Sequence, residues 1–253
     1  MFGSIIRRFL YYPTKLRRDA PLPRWAADAV EMWIKSPLGD IIHGLYWKAP
    51  AGRPTILFLH GNAQSVFEWS MMREDITQLD CGLLLVDYPG YGKSTGEPNE
   101  KAIYAACRAA LDRLIADGVP ETSIVVHGKS LGGGAATEIV QGRKLLGVIL
   151  ESTFTSIPAV ARNLFPFLPA ETIIREERYD SVSRMAGISV PVLVVHGDRD
   201  DLIPFAEGEA LFAAAREPKQ FYRVRGAGHN DTAYTAGAEY GLTLRKWLDD
   251  IMG

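Results

Sequence analysis

Cysteine is nearly missing: Cys81 and Cys107 are the only two in 253 residues. They form no C-x-x-C pair and stand near no histidines at metal-ligand spacing, so no metal site is expected. They read as buried free thiols of a protein in a reducing compartment. An excess of one charge is missing too. Lys and Arg total 28 against 30 Asp and Glu, a net charge of −2, and nothing in that balance points to nucleic acid as a partner. The one candidate targeting segment, residues 1–12, is interrupted by Arg7 and Arg8. It is too short to span a bilayer and carries neither a signal-peptide core nor a small-residue cleavage site. Such a segment either lies on a membrane surface or packs on the body of the domain. Packing is the expectation, and with it a cytoplasmic location; peripheral membrane contact is the alternative. A nucleotide-binding P-loop is absent as well. Gly92-Lys93-Ser94 and Gly128-Lys129-Ser130 have its last three residues, but Asp87 and Ser123 stand where its first glycine belongs.

What is present suits one globular domain over 1–253. Apolar residues make up 47% and charged residues 23%, ordinary values for a soluble protein, and the length suffices for one large core. Apolar runs recur at 55–60, 83–88, 124–127, 146–150, 192–196 and 221–224. They are nearly continuous rather than alternating, as strands covered on both faces should be. Helix-like stretches at 100–117, 205–215 and 237–252 fall between and after them. This alternation predicts an α/β protein with a mostly parallel central sheet flanked by helices on both faces. Residues 39–47 are expected to add an antiparallel edge strand. One segment breaks the rhythm. Residues 157–188 carry Pro158, Pro166 and Pro169 together with Leu164, Phe165, Phe167 and Leu168, and are expected to form a small lid.

The run at 124–127 leads into Gly128-Lys129-Ser130-Leu131-Gly132. This is G-x-S-x-G between a strand and a helix, the context in which the pattern marks a nucleophile. A serine at such a turn sits on strained, crowded backbone, and glycines on either side leave room for it. A serine hydroxyl needs a base to take its proton, usually a histidine oriented by a carboxylate. Of five histidines, His43 lies on the expected edge strand. His60, His127 and His196 each end an apolar run before a glycine, which suits a structural role. His229, in Arg225-Gly-Ala-Gly-His-Asn-Asp231, lies in a glycine-rich loop after the last strand, and is the expected base. The acid should fall between serine and histidine in chain order. Asp200, in the loop after 192–196, is the choice, with Glu151 the rival. Asp198 reads as a turn former and Asp201 as a cap or surface charge. Donors for a developing oxyanion are expected from the backbone amides of Leu131 and Asn62, with Ala63 second to Asn62.

With these residues in hand, the chain resembles the α/β-hydrolases from about Tyr12 to Leu248. Six segments carry the resemblance: His60-Gly-Asn-Ala63, Asp87-Tyr-Pro-Gly-Tyr-Gly-Lys-Ser94, Gly128-Lys-Ser-Leu-Gly-Gly133, Glu151-Ser-Thr-Phe-Thr-Ser-Ile-Pro158, His196-Gly-Asp-Arg-Asp200 and Gly228-His-Asn-Asp231. Together they are similar to the Bem46-like branch, which includes the ABHD13 and ABHD17 groups. The resemblance supports Ser130, Asp200 and His229 and implies no cofactor and no metal. It also implies an esterase activity. Some eukaryotic relatives remove acyl groups from protein cysteines, but the short N-terminal segment and the lack of a cysteine cluster depart from that pattern. The expectation is a serine hydrolase acting on small-molecule carboxylic esters with short to medium acyl chains, short before long. A thioesterase or deacylase, an amidase or peptidase, and a non-catalytic binding protein are the alternatives.

Overall fold

A computed structural model describes Arg7, residues 10–167 and residues 169–253. Much of the basic, apolar segment 1–12, and Leu168 of the expected lid, lie outside the described residues. The strands are β1 (Val30–Lys35), β2 (Ile41–Trp47), β3 (Thr55–Leu59), β4 (Gly82–Val86), β5 (Ile124–Lys129), β6 (Gly147–Glu151), β7 (Val192–Gly197) and β8 (Lys219–Val224). The helices are α1 (Val66–Trp69), α2 (Arg73–Thr77), α3 (Glu100–Ala116), α4 (Leu131–Ile139), α5 (Ile157–Leu164), α6 (Ala170–Ile173), α7 (Ser181–Met185), α8 (Phe205–Ala214), α9 (Thr232–Ala236) and α10 (Ala238–Met252).

One eight-stranded sheet runs in the order β1-β2-β4-β3-β5-β6-β7-β8. All pairs from β4 through β8 are parallel, and β2 is antiparallel to both β1 and β4. The segment expected at the sheet edge is therefore an inner strand, and β1 is the edge. That strand alternates Met32 and Ile34, which are buried, with Glu31, Trp33 and Lys35, which are not. Such alternation belongs to a strand half in contact with water, and its outward charges hid it among surface residues.

Strands β3 through β7 are buried along their whole length, because each residue faces one of two cores. Leu57 and Leu59 point into a core shared with α3 and α4, whereas Ile56 and Phe58 point into a second core shared with Leu244, Trp247 and Leu248 of α10. This period of two, with apolar residues facing both cores over most of each strand, is what made the strands read as nearly continuous runs. Helix α3 buries Ile103, Cys107, Ala110 and Leu114, spaced to form one apolar stripe. Its start is fixed by Asn99, whose side chain accepts from the Ala102 amide at 2.9 Å. Both cysteines are buried and free. No helix among the described residues is long and apolar enough to cross a membrane.

Candidate active site

Strand β5 occupies the sheet centre and ends where α4 begins, so Ser130 stands at the carboxyl end of the sheet. Its backbone is forced to φ 52°, ψ −117°, a region an L-residue enters only when its surroundings over-determine it. Three bonds do so. The Ser130 amide donates to the Glu151 carbonyl at 2.9 Å, and the Ser130 carbonyl accepts from the Gly133 amide at 3.0 Å and from Thr153 Oγ1 at 2.7 Å. The crowding is severe. A Cβ on Gly132 would lie 1.9 Å from the Leu59 carbonyl oxygen, and one on Gly128 would lie 2.5 Å from the Gly132 carbonyl oxygen. Both obstacles are backbone, which cannot swing aside. Gly132→Ala should therefore lose at least ~1–3 kcal/mol in urea unfolding, the usual cost of overpacking. Gly241→Ala in α10, where a Cβ meets nothing within 4 Å, should gain up to ~1 kcal/mol from helix propensity. Equal stability of Gly132→Ala and the parent would show that the turn has slack that the contacts deny.

The structure brings His229 and Asp200 to this serine. His229 Nε2 lies 3.0 Å from Ser130 Oγ, and His229 Nδ1 lies 2.8 Å from Asp200 Oδ2. With Nδ1 facing a carboxylate, the ring proton belongs there, and the Nε2 lone pair is left for the hydroxyl. The second Asp200 oxygen accepts the amides of Leu202 at 3.0 Å and Ile203 at 2.7 Å, so the carboxylate is held at both ends. Burial pushes the Asp200 carboxyl up, but hydrogen bonds from His196 and His229 and from the Ile203 amide outweigh it, and the group is held well below the usual carboxylate range.

Glu151, the rival acid, is committed elsewhere. It is fully buried and takes Lys129 Nζ at 2.7 Å, Thr232 Oγ1 at 2.6 Å, His127 Nε2 at 2.8 Å and Tyr240 OH at 2.7 Å. These partners come from β5, α9 and α10, so Glu151 ties the nucleophile strand to the helix that follows the His229 loop. Asp198 braces the neighbouring loop by accepting Gly226 N at 2.7 Å and Arg223 Nε at 2.9 Å. Asp201 is exposed and caps nothing.

His196 has a part the sequence reading missed. Its Nε2 lies 2.9 Å from the Ile203 carbonyl and 3.4 Å from Asp200 Oδ2. Facing two acceptors, Nε2 carries the proton and supports the Asp200 carboxylate. The signal was available in the spacing of four between His196 and Asp200 across one tight loop. His127 bridges β5 to β6 through Glu151.

Of the two expected oxyanion donors, Leu131 follows the serine directly and Asn62 lines the same cavity as the serine. Leu131 opens α4, where the amides have no intrahelical acceptor and the helix dipole favours negative charge. Asn62 lies in the loop after β3, and its neighbour Gly61 abuts the nucleophile, a Cβ there lying 3.4 Å from Ser130 Cβ. The Ala63 amide donates to Asn62 Oδ1 at 2.9 Å, which removes Ala63 from contention as a donor. Above these groups opens an apolar cavity of about 880 Å³, lined by Leu10, Tyr12, Phe154, Ile157, Leu164 and Phe165 among others. Segment 157–188, expected as a lid, supplies α5 and α6 to this wall. Among the described residues no cluster of three or more His, Cys, Asp or Glu side chains could hold a metal ion.

The chain matches the Alpha/beta hydrolase family over residues 56–187. It belongs to that family. The α/β-hydrolase has relatives across kingdoms. It is 31% identical over 252 residues to uncharacterized protein Rv2307c of Mycobacterium tuberculosis, covering 96% of this chain and 87% of that one. It is 31% identical over 208 residues to the human alpha/beta hydrolase domain-containing protein 17B, covering 81% of this chain and 70% of the human protein. Among solved structures, the Pyrococcus furiosus esterase Pf2001 superposes with a TM-score of 0.76 at 19% identity, over 96% of this chain and 98% of the esterase. A puromycin-hydrolyzing peptidase of Mycobacterium tuberculosis shares the fold at a TM-score of 0.72 and 16% identity, over 89% of this chain and 39% of the peptidase. The fold thus carries more than one hydrolytic specificity.

Proposed function

We propose that the α/β-hydrolase is a serine esterase that cleaves carboxylic esters through an acyl-enzyme. The reading rests on one observation above all: Ser130 Oγ, His229 and Asp200 are hydrogen-bonded in series, 3.0 Å and 2.8 Å apart, at the foot of an apolar cavity. Ser130 Oγ attacks the ester carbonyl as His229 Nε2 takes its proton. Asp200 keeps the imidazolium oriented and stabilises its charge. The carbonyl oxygen, now an anion, receives the Leu131 and Asn62 amides. The tetrahedral adduct collapses, the carbon–oxygen bond to the leaving group breaks, and His229 returns its proton to the departing alkoxide. Water then repeats the sequence in reverse, freeing the carboxylic acid and restoring the Ser130 hydroxyl.

The cavity supports the upper part of the expected acyl range. Its volume of about 880 Å³ lies near the top of the ~300–1,000 Å³ common for small-molecule sites. Each methylene removed from water adds about 0.8 kcal/mol. With segment 157–188 acting as a lid, kcat/KM on p-nitrophenyl esters should climb from acetate to a maximum near octanoate and fall by palmitate. Matched thioesters and anilides should be slower than the best ester. A maximum at acetate would make the cavity irrelevant to the acyl group, and faster turnover of a thioester or anilide would reassign the activity.

A further inference from the structure

The loop that carries Asn62 does not hold itself in place. Ala63 and Gln64 follow with φ of 65° and 64°, two consecutive left-handed residues, neither of them glycine. Such backbone persists only where its surroundings fix it. The fixing group is the Asn62 carboxamide. Its Oδ1 accepts the Ala63 amide at 2.9 Å, the Tyr91 hydroxyl at 2.7 Å and the Tyr12 amide at 3.1 Å, and its Nδ2 donates to the Leu10 carbonyl at 2.6 Å. Two of these four partners come from the N-terminal segment, about fifty positions earlier in the chain. The Asn62 amide itself has no protein acceptor among the described residues, and Asn62 lines the same cavity as Ser130.

That N-terminal segment is anchored on its other side. The Tyr11 hydroxyl, buried, meets the Glu177 carboxylate and lies 2.8 Å from the Tyr179 hydroxyl. Arg7 Nε donates to the same carboxylate at 2.7 Å. Glu177 and Tyr179 belong to segment 157–188 and are themselves held at positive φ. Further on, the chain is pinned by the Gly92 amide on the Thr14 carbonyl at 2.7 Å and the Leu16 amide on the Gly92 carbonyl at 2.8 Å. Residues 10–12 thus form a taut strap between the segment over the cavity and the loop beside the nucleophile. Leu10 and Tyr12 line the cavity as they cross it.

We infer that this strap is a working part of the oxyanion site, and that Asn62 is a positioning residue whose side chain transmits the strap's placement to its own donor amide. The inference rests on the esterase reading. The carboxamide performs two tasks at once. It withdraws the competing Ala63 amide, and it holds the loop so that one donor, rather than an alternating pair, meets the carbonyl oxygen. Because the oxyanion exists only after attack, a misplaced donor penalises the transition state and spares ground-state binding.

The test compares the full-length parent with Asn62→Ala, Tyr11→Phe, their combination and Ser130→Ala. It reads kcat and KM on the best p-nitrophenyl ester, the affinity of a trifluoromethyl ketone as a transition-state analogue, and Tm. Asn62→Ala should lower kcat about 10²-fold, the order found for loss of an oxyanion donor, and weaken the trifluoromethyl ketone in proportion, with KM changed less than about threefold. Tyr11→Phe touches neither Asn62 nor the cavity, yet should lower kcat about tenfold at nearly unchanged KM, within the range seen for coupled residues. The double variant should be no slower than Asn62→Ala, since the strap acts only through that side chain. Additive losses, or parental kcat in either single variant, would overturn the inference. If Ser130→Ala is inactive while both variants turn over normally, the strap inference fails alone. Activity in Ser130→Ala removes the esterase reading itself.

Discussion

Ser130→Ala should lose about six orders of magnitude in kcat, the scale found when a serine hydrolase loses its nucleophile, while its unfolding curve stays close to the parent's. The two halves of that expectation have separate origins. The hydroxyl makes one side-chain bond, to His229 at 3.0 Å, and removing it strips the reaction of the atom that attacks. The bonds that hold the turn are made by the Ser130 backbone, and alanine keeps them. Asp200→Asn should lose about 10⁴-fold, because an amide facing Nδ1 permits the wrong tautomer. The Leu202 and Ile203 amides can still bond the asparagine oxygen, so folding should survive. A fluorophosphonate probe offers a direct reading. It should label the parent stoichiometrically at Ser130 and leave Ser130→Ala untouched. Labelling of the variant at another residue would place the nucleophile elsewhere.

Glu151→Ala should be the most destabilising single change in the buried polar network, at about 3–5 kcal/mol, the cost of leaving a buried ion without its partner. Against a total of about 5–15 kcal/mol for a domain, that is enough to threaten folding at growth temperature. The ion left behind is Lys129, and three further donors, on His127, Thr232 and Tyr240, lose their acceptor. Adding Lys129→Met should recover part of the loss, because the stranded charge goes with it. The pH dependence has a definite sign. Burial raises the Glu151 carboxyl, but Lys129 and His127 pull it well below the ordinary range. A depressed carboxyl stabilises the fold fully above its unfolded value, about 4.3, and the contribution is lost as pH falls through the folded value. Urea unfolding at neutral and acid pH should therefore show the parent and Glu151→Ala converging as pH drops. A constant gap across the series would mean that lost packing, rather than ionisation, carries the effect.

The contrast between Ser130 and Glu151 marks how far the sequence could be read. Ser130, Asp200 and His229 each sit in a short local pattern of glycines beside a strand end, so their candidacy needed no knowledge of distant contacts. The inner strands were readable for a similar reason, because burial on both faces leaves an uninterrupted apolar run. Strand β1 was not, since its outward residues Glu31 and Lys35 resemble any charged surface, and placing β2 inside the sheet depended on finding β1 first. Glu151, at the end of its own strand, was the rival to Asp200 for the acid. What excluded it is a set of partners up to 89 positions away, a pairing that only the assembled fold specifies. The Asn62 carboxamide is a further case. The sequence pointed to its backbone, while its side chain gains meaning from Leu10 and Tyr12, which no local pattern connects to it.

The order of the strands bears on how the chain is born. Strand β3 lies between β4 and β5, and its Thr55 pairs with Ile124, a residue made long after it. As the nascent chain leaves the ribosome, one side of β3 has no partner until β5 emerges, and an apolar strand (residues 56–59) stays accessible to chaperones or to neighbouring chains. Pairings this distant are slow to close. When β5 does dock, it brings the Ser130 turn with it, so the sheet centre and the nucleophile elbow are completed in the same step. A truncated translation product ending before residue 124 would leave that strand edge unpaired and carry no nucleophile.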